Sequence, residues 1–115
     1  MNRVDSALPS PRVVNGIIKW HELDEFDLSL RLELTDADGE KIELQSADTV
    51  SIEIKNDKME PVKSFEQSKL SYNTANLHFD SKITALFPKG VYFYDVRISG
   101  VHNLTIARNN MIKVE

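Results

Sequence analysis

At 115 residues, with 41% hydrophobic and 28% charged side chains, the chain has the size and mix of one globular domain and leaves little room for a second. It has no cysteine, which excludes disulfides and thiolate metal sites. Fourteen Lys and Arg against eighteen Asp and Glu give a net charge of −4, without the clustered basic surface that displaces counterions from nucleic-acid phosphates.

The chain opens with Met1-Asn2-Arg3-Val4-Asp5, which lacks the apolar core of a secretory signal and predicts synthesis and retention in the cytoplasm. Residues 1–12 read as an extended arm ahead of a domain spanning 13–115. Ala7-Leu8-Pro9-Ser10-Pro11 holds two of the four prolines, each removing a backbone donor and biasing its predecessor toward extended geometry. Such an arm either packs on a neighbour or stays disordered. Val13 to Trp20 is rich enough in β-branched residues for one strand. The acidic stretch Glu22, Asp24, Glu25 and Asp27 reads as a solvated loop leading into a strand rather than as a cation site.

Phe26 to Leu34 carries the plainest pattern. Phe26, Leu28, Leu30, Leu32 and Leu34 alternate with Asp27, Ser29, Arg31 and Glu33, so period two puts every large apolar side chain on one face of a half-buried strand. Leucine favours helix, but a helix would scatter these residues around its axis, and pattern outweighs propensity. Asp36-Ala37-Asp38-Gly39 then reads as a turn, with Lys41 to Leu44 returning as a strand. Thr49 to Lys55 alternates again, with Val50, Ile52 and Ile54 inward. Asn56-Asp57-Lys58 punctuates, and Pro61 argues for an edge or loop. Val62 to Phe65, Leu70 to Tyr72 and Leu77 to Phe79 are shorter strand candidates. Ile83 to Phe87 reads as one helical turn stopped by Pro88-Lys89-Gly90. Gly90 to Ser99 is the second strong strand, with Tyr92, Tyr94, Val96 and Ile98 on one face. Leu104 to Val114 closes the chain, with a bulge expected at Asn109-Asn110. Seven to nine short strands with frequent turns and no long helix predict an all-β, immunoglobulin-like two-sheet antiparallel sandwich. No apolar run approaches the ~20 residues that a membrane-spanning helix needs.

Chemistry-bearing patterns are sparse. Asp36 and Asp38 resemble the start of a calcium loop, but Gly39 falls at the wrong position and no helices flank it. His21, His78 and His102 share no ligand spacing. His21 and His102 fall in expected loops, and His78 points away from the face of Leu77 and Phe79. There is no Gly-x-Ser-x-Gly elbow and no glycine-rich phosphate loop before Lys89-Gly90. The reading is therefore a non-enzyme with no catalytic, cofactor-binding or metal residue and no cofactor. Gly90-Val91-Tyr92-Phe93-Tyr94 resembles the entrance to strand F of immunoglobulin-like sandwiches, where a tyrosine hydroxyl bonds back to the corner it has left. Tyr92 is the candidate, with a plain core aromatic as the equal alternative.

In order and spacing, five fragments resemble the N-terminal immunoglobulin-like domain of phage baseplate upper proteins and related tail proteins of Gram-positive hosts. These are Phe26 to Leu34, Asp36 to Gly39, Ala47 to Lys55, Leu86 to Ile98, and Thr105 to Arg108 with Ile112 to Val114. Leu23-Asp24-Glu25 departs from the lead into the first long strand, and the coiled-coil continuation of those proteins is missing. The resemblance implies a virion structural component of a phage or prophage tail. It would dock on other tail or baseplate proteins and on itself, and would bind no nucleic acid, membrane or small-molecule substrate. The alternative expectation is a stand-alone immunoglobulin-like module that binds a protein or glycan at a cell surface.

Overall fold

The computed structural model describes residues 3–6, 12–14 and 17–115. Among them are nine strands and one helical turn: β1 Arg3–Ser6, β2 Arg12–Val14, β3 Ile17–Trp20, β4 Phe26–Glu33, β5 Thr49–Lys55, β6 Pro61–Ser68, β7 Thr74–Phe79, α1 Ser81–Thr84, β8 Gly90–Ser99 and β9 Leu104–Val114. They form two sheets, β1-β4-β7 and β2-β3-β9-β8-β5-β6. The architecture is the immunoglobulin-like β-sandwich that the alternating strands predict. All pairings are antiparallel except β3 with β9, which run parallel through Ile18↔Ile112 and Trp20↔Val114.

The core lies between the sheets and follows the period-two reading. Leu28, Leu30 and Leu32 of β4 and Ala75, Leu77 and Phe79 of β7 are buried against Val50, Ile52 and Ile54 of β5 and Tyr92, Tyr94, Val96 and Ile98 of β8. At one end Trp20 packs among Phe26, Phe79 and Phe87, with ring centroids 5.1, 5.2 and 5.6 Å away. Ser29, on the polar side of β4, is nevertheless covered and donates to Asn76 Oδ1 across the β4–β7 pair at 2.7 Å.

Several elements depart from the sequence reading. The expected strand from Val13 to Trp20 is two strands, β2 and β3, paired antiparallel from Arg12↔Lys19 to Val14↔Ile17. Four residues of the expected arm form β1, antiparallel to β4 from Arg3↔Glu33 to Ser6↔Leu30, and the 12/13 boundary falls inside β2. Residues 1, 2 and 7–11 of the arm, including Pro9 and Pro11, lie outside the described residues.

Lys41 to Leu44 is not a strand. Beyond the Thr35↔Lys41 bridge, its backbone is tied instead by a side chain, as described below. Leu70 to Tyr72 is likewise a turn region. The helical turn begins earlier than expected because Asp80 caps it, accepting from the Ile83 N–H at 2.9 Å. The bulge in β9 sits opposite Asp95, between the pairs Tyr94↔Asn110 and Val96↔Ala107. Asp95 Oδ1 accepts from the Asn109 N–H at 2.7 Å, and Lys55 Nζ donates to Asp95 Oδ2 and to Asn109 Oδ1, both at 2.8 Å. Asn109 has φ 53°, a conformation that asparagine tolerates better than most residues.

Candidate docking groove and its supporting contacts

Three connections meet at one pole: residues 34–48 between β4 and β5, 69–73 between β6 and β7, and 100–103 between β8 and β9. The first and last occupy the places of the B–C and F–G loops of variable-type sandwiches, where that fold carries its binding loops. Between the first two lies a groove of about 810 Å³. Arg31 to Thr35, Lys41 to Leu44 and Leu70 to Asn73 line it.

The turns that frame the groove are built by local rules. In the 36–40 turn, Asp36 Oδ1 accepts from the N–H groups of Asp38 and Glu40 at 2.9 and 3.0 Å, and Gly39 supplies φ 81°. The carboxylate that looked like a calcium ligand is thus bonded to its own loop. The turn 56–60 repeats the scheme at the other pole: Asn56 Oδ1 accepts from Lys58 and Glu60, and Met59 stands at φ 62° where the first turn has glycine.

One wall is the turn Ser71-Tyr72-Asn73-Thr74, closed by the Thr74 N–H to Ser71 carbonyl bond at 3.0 Å. Tyr72 and Asn73 both have positive φ, 53° and 52°, the type I′ pattern usually met by Asn-Gly. Asn73 holds the groove together. Its carbonyl accepts from Leu32 of β4, its Oδ1 accepts from the Leu44 N–H at 2.9 Å, and its Nδ2 donates to the Ile42 carbonyl at 2.8 Å. The amide thereby stands in for a strand partner. Tyr72 is 93% exposed, the most exposed large apolar side chain among the described residues.

Beside the groove the 100–103 connection is fastened to the first loop by Asp48, which is 1% exposed. Its Oδ1 accepts from the His102 N–H, and its Oδ2 accepts from the Gln45 N–H and meets His102 Nδ1, all at 2.8 Å. Burial opposes the charge, but the His102 and Gln45 backbone donors and the His102 ring outweigh it and hold the pKa at about 2. Gly100 completes the joint. At φ 136°, any β-carbon placed there would stand 2.4 Å from the Ala47 carbonyl oxygen.

The remaining sequence candidates fall elsewhere. His102 lies in the 100–103 loop, as expected, but it is half-buried and bonded to Asp48, which the sequence reading did not foresee. The signal was a lone acid, Asp48, 54 residues away, and no spacing rule joins the two. His21 is exposed. His78 is exposed and points away from Leu77 and Phe79, as expected, with Nδ1 at 2.6 Å from Asp27 Oδ1. The Asp27 hydrogen bond and charge raise the His78 pKa. The acidic loop does structural work: Glu22 Oε2 accepts from the Lys89 N–H at 2.8 Å and Glu25 Oε1 from the Ser81 N–H at 3.0 Å. Tyr92 is the corner tyrosine, its hydroxyl donating to the Pro88 carbonyl at 2.6 Å. Burial raises its pKa, helped by the charges of Asp57 and Glu22, so the hydroxyl stays a donor. Among the described residues no three His, Asp or Glu side chains gather to hold a metal ion.

No family model matches the chain, and no curated protein matches it in sequence.

Proposed function

We propose that this protein is a structural docking domain, an assembly component of a phage or prophage tail of the baseplate type, and that it acts by protein–protein contact. The observation that carries the docking reading is Tyr72. A bulky ring is held almost fully in solvent, at a φ that costs a non-glycine residue of order 1–2 kcal/mol, on the lip of a groove with mixed charge. Tyrosine gives large contact area with a polar tip and little entropy loss, and it is enriched where partners meet. The tail assignment rests on the resemblance in the order and spacing of the five fragments, four strand-bearing and one a turn.

Tyr72→Gly separates binding from folding. Glycine suits the turn, so stability holds or rises, while docking on the tail proteins encoded beside this gene weakens by roughly 30-fold, the loss of a hot-spot side chain worth about 2 kcal/mol. Calorimetric titration against those proteins reads the change. Equal affinity for the parent and Tyr72→Gly would remove Tyr72 from the docking surface. Failure of every tail protein to bind the parent would remove the tail assignment.

A further inference from the structure

The two lateral sides of the sandwich are treated differently. On one side the free edges are β6 and β7, and both are closed. Gln67 of β6 reaches across to β7, where its Oε1 accepts from the Asn76 N–H at 3.0 Å and its Nε2 donates to the Asn76 carbonyl. These are outward backbone groups that another strand would use. Lys63 pairs with the buried Ile54, which places it on the inner face of β6, with its ammonium 5.5 Å from the Phe65 ring centroid. An inward lysine and the leading Pro61 are devices that stop an edge from accepting a further strand.

On the other side the sheet beginning with β4 is finished by β1 alone. Four residues in a single ladder, Arg3↔Glu33 to Ser6↔Leu30, cover that edge of β4. The next strand, β2, belongs to the opposite sheet, and the sequence between them is Ala-Leu-Pro-Ser-Pro. Six residue steps separate Ser6 from Arg12, so covalent geometry limits the reach of that link to at most about 20–22 Å. Packed sheets are only about 10 Å apart, so that reach leaves room for residues 3–6 to lie on a neighbouring molecule instead. A strand from a second copy makes every hydrogen bond that the chain's own β1 makes, which leaves exchange with little cost beyond association itself.

We infer that β1 is an exchangeable strand, and that two copies of this chain associate by each laying residues 3–6 along β4 of the other. This self-association uses the edge opposite the guarded one and does not depend on what occupies the Tyr72 groove.

The absence of cysteine makes the test clean. Asp5 and Arg31 face each other in the β1–β4 ladder, and cross-strand α-carbons at 4.5–5.5 Å lie within disulfide range. Full-length Asp5→Cys and Arg31→Cys chains are mixed after unfolding and refolding together, then oxidised and run without reductant. Exchange joins position 5 of one chain to position 31 of the other, and mass spectrometry of the linked peptide identifies the bond. The ratio of this dimer to monomer rises about tenfold for each tenfold rise in protein concentration in the dilute range. Each single variant oxidised alone gives the collision background. The double variant Asp5→Cys/Arg31→Cys supplies the second reading, closing within one chain when dilute and between chains when concentrated. Closure only within one chain at every concentration, with mixed dimers no higher than background, overturns the inference. So does the absence of any 5–31 bond, since β1 would then not lie on β4.

Discussion

Replacing Asp48 by asparagine is the sharpest perturbation of the pole that carries the groove. The carboxylate is 1% exposed and accepts from the Gln45 and His102 N–H groups while its Oδ2 meets the His102 ring. Asparagine has nearly the same shape but one acceptor oxygen, so one buried backbone donor must face an NH2 group. That mismatch costs about 1–3 kcal/mol, and the lost charge assistance adds to it. The depressed pKa of Asp48 sets the size of the pH dependence to expect. A pKa lowered from 3.8 to about 2 corresponds to roughly 2 kcal/mol at 1.36 kcal/mol per unit. Because the folded pKa is the depressed one, this stability is present above pH ~4 and is lost as pH falls toward ~2. Urea unfolding of the parent and Asp48→Asn at neutral pH should therefore differ by about 2–4 kcal/mol, or roughly 8–15 °C in Tm for a chain of this size. In a titration from pH 5 to 2 the two stabilities should converge by about 2 kcal/mol, with other carboxylates cancelling in the difference. A constant difference across that window would refute an ionised Asp48 as the centre of the joint.

The two related turns predict that Met59→Gly raises stability by about 1 kcal/mol, because it relieves the positive φ that Gly39 accommodates in the homologous position; an unchanged or lower midpoint in chemical denaturation contradicts this. Gly100→Ala should cost about 3 kcal/mol or more and lower the thermal midpoint steeply, since its β-carbon meets the Ala47 carbonyl at 2.4 Å; a mild effect would mean that the joint yields. Tyr92→Phe should cost about 1–2 kcal/mol by leaving the Pro88 carbonyl without its donor, which equilibrium unfolding measures directly. Leu30→Asp should abolish folding, whereas the exposed Arg31→Gln should change stability by about 0.5 kcal/mol or less; comparable melting losses would contradict the face assignment of β4.

The sheets of this protein are written locally. Strict alternation in Phe26 to Leu34, Thr49 to Lys55 and Gly90 to Ser99 names both the strands and their buried faces, because a pleated strand offers a choice of only two sides. The corner tyrosine was legible for the same reason, as its acceptor is only four residues upstream. The groove was not. Its floor depends on Asn73 imitating a strand for Ile42 and Leu44, 31 and 29 residues away, and its neighbouring joint on Asp48 finding His102 at a separation of 54. Such bonds have no period and no spacing. They exist only once the sandwich has closed and burial has made an unpaired carboxylate or amide too costly to leave alone. The same holds for β1, whose four residues carry no alternating apolar pattern. Only the open edge of β4 makes a strand of them.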